Sequence, residues 1–302
     1  MNSTYHKWLA LIGICSVLLL PSQGYGQFSN SGQLLFEVGG KLPLTRGITT
    51  LAGAGGGALT PWATISGNEL DRGIGATGHV SHVHVSDFSL TSIGAAVGFY
   101  DKVELSYSHN IFDTRDAGAL LGLGQDFNIK QDVAGLKVRL VGDAVYDQDL
   151  WLPQIAAGVQ YKRNNRGDLV KGLGAISRDG ADFYISATKL FLAQSLLVNG
   201  TLRLTKANQT GLLGFGSTDS SGYAVQPEFS VALLLSRRLA VGGEYRFKPN
   251  NLGFAKEDDW LDLFAAYAIT DNVSLTLAHT RLGSVATFEN QNGVYFSLQA
   301  GF

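Results

Sequence analysis

Nine charged residues occur at alternate positions of half-apolar runs: Glu104, Lys137, Arg139, Arg203, Glu228, Glu244, Arg246, Lys248 and Asp262. Isolated charges on the polar face of such runs can do two kinds of work. Hydrated, they line a passage and select what permeates it. Paired, they neutralise one another and fill a narrow interior. The sequence leaves both open. Glu228 and Glu244 flank the turn at 236–238, and counting from it sets them at similar heights, with Arg246 slightly higher.

Other spacings point to other chemistry. In "HVSHVH" (79–84), His82 and His84 share one face of a strand and His79 takes the other. Two imidazoles at i and i+2 hold a metal only with a third ligand from a neighbouring strand. No run offers one at a fixed position, so no metal is expected, and the histidines are placed at a polar lumen or at a rim near an external loop. His84 with Ser86, and His79 with Ser81, have the spacing of a histidine-activated serine. A triad also needs an Asn or Asp on the adjacent strand, and 88–99 contains neither. No catalytic residue is assigned and the chain is read as a non-enzyme. "GAGGGA" (53–58) matches a dinucleotide fingerprint, but "LTPW" follows where a helix is required. No cofactor is expected; the glycines suit a loop or a tight bend in strand or plug backbone. In "AKEDDW" (255–260), Glu257, Asp258 and Asp259 could offer oxygens to calcium or to a cation bridged by lipopolysaccharide. The spacing lacks a glycine-centred calcium loop, so a solvated loop rim is the expectation.

The elements that must position these residues are strands. "VELSYSHNI" sets Val103, Leu105, Tyr107 and Ile111 against Glu104, Ser106, Ser108 and Asn110, and the same period of two runs through 196–205, 223–233 and 239–248. Less regular strands are predicted near 74–85, 88–99, 133–141, 154–162, 182–191, 260–269, 273–281 and 293–302. The polar faces carry mostly small residues, whereas the apolar faces carry large aliphatics and aromatics. One interior cannot hold that much apolar area; a lipid-facing band around a polar lumen can. Short turns at 100–102, 192–194, 236–238 and 270–272 alternate with longer connections near 113–131, 164–180, 207–222, 249–258 and 283–292. Aromatics near strand ends (Tyr100, Trp151, Tyr161, Phe191, Tyr223, Trp260, Tyr267) suit interfacial girdles. Pro227, inside a strand, predicts a bulge.

The fold class is therefore all-β: a monomeric, transmembrane, antiparallel up-and-down β-barrel with short periplasmic turns and longer external loops. About twelve strands lie in 73–302. Residues 27–72 are a lead-in that forms either a lumen plug or two extra strands, near 33–40 and 57–66, which would make fourteen. Residues 1–26 read as a cleaved signal peptide: Lys7, an apolar run from Trp8 to Leu20, Pro21, then Gly24 and Gly26. Cys15 follows Ile14 rather than a small residue, so lipidation is discounted. The sole Cys and Met lie in that segment, which excludes disulfides and thiol catalysis from the mature chain. Charged residues are 16% of the chain and net charge is -2, which gives no electrostatic case for nucleic acid. The expected location is the outer membrane of a Gram-negative cell, among lipid and lipopolysaccharide.

Four stretches carry a resemblance: "GALTPWATI" (57–65), "WLPQIAAGVQYK" (151–162), "KLFLAQSLLVNGTLRLTKANQTGLLGFG" (189–216) and "NLGFAKEDDWLDLF" (251–264). Over them the chain, from about Lys41 to Phe302, resembles an uncharacterised family of proteobacterial outer-membrane proteins, known only as a domain of unknown function. The resemblance implies a signal-bearing outer-membrane barrel and no activity. The ending "GVYFSLQAGF", with Phe296, Leu298 and Phe302 on one face, resembles the signal read by the barrel-assembly machinery, the partner expected during biogenesis. The functional expectation is a passive channel or pore for small solutes; the alternative is a non-transporting structural or adhesive protein.

Overall fold

The computed structural model describes residues 41, 44, 48–69, 71 and 73–302. The expected signal peptide and the proposed strand at 33–40 lie outside the described residues. The strands are β1 (Ile74–Val85), β2 (Ser89–Phe99), β3 (Val103–Asp113), β4 (Asn128–Val141), β5 (Gln154–Asn164), β6 (Ala175–Ser177), β7 (Asp179–Phe191), β8 (Leu196–Thr205), β9 (Phe215–Ser217), β10 (Ala224–Ser236), β11 (Leu239–Arg246), β12 (Trp260–Ala268), β13 (Val273–Arg281) and β14 (Asn292–Gly301). Twelve of them form a closed antiparallel barrel, and β6 pairs with β9 in a separate two-stranded ribbon among the loops. Closure is made by β1 on β14, with Thr77 opposite Gly301 and Val85 opposite Gly293.

Period two along each strand sorts side chains between two surfaces. Leu105, Ile185, Leu202, Val231, Leu263, Val294 and Phe296 stand exposed on the outer wall, while Glu104, Ser186, Arg203, Ser230, Asp262 and Tyr295 are buried inside. No described helix is long and apolar enough to cross a membrane; an apolar outer band on a closed sheet is the other way to satisfy lipid.

Short turns gather at one end of the barrel and long loops at the other, with two exceptions. The connection 142–153, at the short-turn end, is long, and 86–88, at the long-loop end, is short. The β2–β3 turn places Tyr100 and Asp101 at φ 55 and 51, the left-handed pair that matches hairpin twist.

Pro227 makes no bulge. It stays in register opposite Leu202, and the irregularity in β10 falls between Leu234 and Ser236. The Pro227 carbonyl accepts from Phe247 N–H at 3.2 Å, so its nitrogen also faces β11. The missing donor thus falls where β11 leaves the sheet.

Residues 57–66 are turns and bridges rather than a strand. The whole stretch 48–69 lies inside the barrel. Its backbone touches strands on every side: Leu51 O accepts from Ser92 Oγ at 2.9 Å, Pro61 O from Thr201 Oγ1 at 2.8 Å, Ala63 O from Gln154 Nε2 at 2.7 Å, and Asn68 N–H donates to Phe302 O at 3.0 Å.

Candidate functional site: a filled lumen with an apolar mouth

The inward positions build three polar clusters. In the first, Lys137 donates to Gly55 O at 2.9 Å, Thr64 O at 2.7 Å and Glu104 Oε2 at 3.0 Å. That uses all three ammonium hydrogens. Glu104 also accepts from the N–H groups of Gly55 at 3.0 Å and Ser66 at 2.9 Å. One ion pair, on β3 and β4, thus holds both ends of a loop of the inner segment.

The second cluster is centred on Glu244. It accepts from Leu59 N–H at 2.7 Å, Thr60 Oγ1 at 2.6 Å and Ser230 Oγ at 2.7 Å. Trp62 Nε1 donates to Ser230 Oγ at 3.0 Å. A Cβ at Gly57 would overlap the Glu244 carboxylate, which accounts for the glycine run better than phosphate binding does. Asp262, opposite Glu244 in the register, is buried with neither carboxylate oxygen partnered.

The third cluster is an ion network. Glu228 accepts from Arg203 Nε at 2.5 Å and pairs with Arg246 Nε at 3.2 Å. Asp182 pairs with Lys162 at 2.6 Å and with Arg203 at 3.5 Å. The register sets Arg246 directly opposite Glu228, and Glu244 opposite Ser230. Glu228 and Glu244 are therefore a step apart, contrary to the estimate made by counting from the turn. Asp182, Lys162 and Gln160 are lumen residues that pattern reading missed; their alternation with Phe183, Tyr161 and Val159 could have marked them. Arg139 sits apart, at the short-turn rim, bonded to Asp101 and to Asp143 at 3.1 Å.

Lys248 lies just beyond β11, at the long-loop end. It donates to Gln209 Oε1 at 3.0 Å and lies 3.7 Å from Glu257. Glu257 is not a solvated rim residue: it is buried and accepts from Gln209 N–H at 2.9 Å. Its acidic neighbours serve other partners, Asp258 accepting from Ser284 Oγ at 2.7 Å and Asp259 from Tyr245 Oη at 2.9 Å.

Burial pushes the Glu257 carboxyl up from 4.5 to about 7, against the pull of Lys248. The unfolded chain gives up this proton near 4.5 and the folded mouth only near 7. Between those values the folded form binds more protons, so its stability falls as pH rises. Protection of the Gln209 amide, corrected for intrinsic exchange, is expected to fall between about pH 5 and pH 7.5, and Glu257→Gln should flatten the profile. Equal protection of the native loop at both values would remove this reading.

Above the clusters, at the long-loop end, the interior turns apolar. Val83, Val85, Phe88, Phe112, Ile129 and Leu282 are all buried there. His82 and His84 point outward, their rings 6.4 Å apart, and His79 points inward, bonded to Ser92 Oγ at 3.1 Å. The other ring nitrogen of His79 has no partner, so no carboxylate orients it towards Ser81. Among the described residues no three His, Cys, Asp or Glu converge as metal ligands. Trp260 also turns inward, 8% exposed, and so leaves the expected girdle.

The barrel resembles solved structures at low identity. The KdgM porin shares 9% identity over 75% of this chain and 99% of its own, with a TM-score of 0.50. The outer membrane phospholipase A of Escherichia coli shares 12% over 74% and 92%, at 0.43. The COG4313 outer membrane channel of Pseudomonas putida F1 shares 14% over 80% and 97%, also at 0.43. The first supports the barrel fold. No curated protein matches the chain. A family model described as "Protein of unknown function (DUF3034)" matches residues 45–299. That span takes in the whole inner segment from Ile48 onward and nearly all of the barrel, and the chain belongs to this family of unknown function.

Proposed function

We propose that the protein is an outer-membrane channel for small solutes whose lumen is closed, in the state described, by residues 48–69. The observation that carries this is how the segment is held. Its backbone is bound by side chains of the wall, with Glu104, Lys137 and Glu244 as the main anchors. Each hydrogen bond to the wall exchanges for one to water at a net cost of about 1 kcal/mol, so release of the segment is set by how many of these bonds break together. A twelve-stranded wall is also wider than an eight-stranded barrel filled by its own side chains. The outer band meets lipid and lipopolysaccharide, and the long loops lie outside the cell. No catalytic role is proposed.

A second reading is favoured by the ion network in which Glu228 and Asp182 pair with Arg203, Lys162 and Arg246, all buried as in a sealed interior. It makes the protein a non-transporting structural barrel. Conductance in a planar bilayer separates the two. The full chain is expected to be closed most of the time, and a variant lacking residues 48–69 to conduct steadily. A deletion variant that folds, by its heat-modifiable mobility in gels, yet stays silent would leave the structural reading in place.

A further inference from the structure

The geometry points to a binding site for a compact apolar molecule carrying one hydrogen-bonding group, a monocyclic phenol being the type, in the lumen mouth at the long-loop end. The cavity there has a volume of ≈ 150 Å³. Its walls include Phe88, Phe112, Ile129 and Trp260, and its floor is made by Leu51 and Leu59 of the inner segment. Leu121 and Phe254, both exposed, stand at its upper rim and leave an approach from beyond the loops.

Three observations fix the class of ligand. First, a lumen mouth built for ions or sugars presents polar groups, whereas apart from Thr114, Thr280, Thr287, Gln209 and the polar tips of Tyr295 and Trp260 this lining is apolar. An apolar cavity of this size stays dry and takes a ligand of about the size of benzene. Second, Gln209 and Thr114 are already spent: Gln209 Nε2 donates to Ser284 O at 3.1 Å and Thr114 Oγ1 to Phe127 O at 2.9 Å. Third, two lining residues keep a buried polar atom that no protein group uses, Trp260 Nε1 and Thr280 Oγ1. A buried N–H or O–H without a partner is rare in native structures. An indole N–H only donates, whereas a hydroxyl both donates and accepts. A phenolic oxygen has the chemistry that either one needs.

The floor gives the site a consequence. A molecule seated there touches Leu51 and Leu59, which belong to the segment that closes the lumen. The site thus deepens the channel reading, as the place where its solute is first held, and rests on that reading only for this role. Binding can be read without flux, so the two fail separately.

The test uses the full chain in lipid nanodiscs, with 4-fluorophenol and fluorobenzene as probes followed by fluorine NMR. Saturable binding of both is expected. Val83→Phe, which fills the cavity from β1, should abolish it, and Leu213→Phe is the second filler should the first fail to assemble. Trp260→Phe keeps a ring and removes the donor; it should weaken 4-fluorophenol about tenfold, the worth of one hydrogen bond, and leave fluorobenzene unchanged. Non-saturable uptake, or uptake that either filler leaves intact, would place the probes in the bilayer or on the outer wall and overturn the site. Equal binding of glycerol would overturn its apolar character.

Discussion

Lys137→Met is expected to free the inner segment and open the barrel. Lys137 is 1% exposed, and its three bonds end on Gly55, Thr64 and Glu104. Removing it strips the donor from Thr64 O, leaves Gly55 O with only the Trp62 N–H at 3.1 Å, and strands a buried carboxylate without its ion-pair partner. Breaking a buried pair in this way costs about 3–5 kcal/mol. The cost falls on the segment more than on the wall, because the β3–β4 ladder keeps Glu104 and residue 137 opposite each other whatever their side chains. At about 1.4 kcal/mol per factor of ten, the ratio of closed to open molecules should drop by roughly two to four orders of magnitude. Long-lived openings in planar bilayers and rapid proteolysis within residues 48–69 would follow. The double variant Glu104→Gln, Lys137→Met removes the stranded charge and should recover part of the loss, since the Gln oxygen can still accept from one of the Gly55 and Ser66 amides, which meet different carboxylate oxygens in the native protein. A single variant as silent and as resistant to protease as the wild type would show that the segment is held by its packing, not by this pair.

Much of the wall was legible in the sequence, and the reason is physical. A strand between lipid and lumen must alternate, so Leu105 and Glu104, or Leu202 and Arg203, declare their sides without any knowledge of the fold. The same rule misleads where the lumen itself is apolar. In "HVHV" polarity assigns the histidines inward, yet Val83 and Val85 face the mouth and His82 and His84 face out. Trp260 fails for the same reason: its position at a strand end suggested a girdle, whereas its ring closes the cavity beneath Lys248, 4.7 Å away. Residues 48–69 have no period to read. They are ordered by contacts such as Leu59 with Glu244, 185 positions away, and nothing local to Gly57 reports that a carboxylate occupies the space its side chain would need. Pro227 shows the opposite case. The local rule was sound, but the ladder ended one residue before it could apply.

Glu228→Gln should be the most damaging single change to the barrel wall. Glu228 is fully buried and lies between two guanidinium groups, Arg203 on β8 and Arg246 on β11. Around it the cations are Lys162, Arg203 and Arg246, and the only other carboxylate paired with them is Asp182, with Lys162 at 2.6 Å and Arg203 at 3.5 Å. Neutralising Glu228 leaves three cations facing one anion in an interior that water reaches poorly. About 3–5 kcal/mol of stability should be lost, read as a lower urea midpoint with the slope unchanged. The geometry of the side chain is preserved, so packing is not what the variant tests. Adding Arg203→Met to Glu228→Gln removes one cation with the anion and should restore most of the midpoint, because a buried pair replaced as a pair is often neutral. The coupling between the two changes, about 2 kcal/mol or more for groups in direct contact, separates an electrostatic network from residues that merely fill space. Additive losses would mean that Glu228 and Arg203 act independently, and that the lumen is held shut by volume instead of charge.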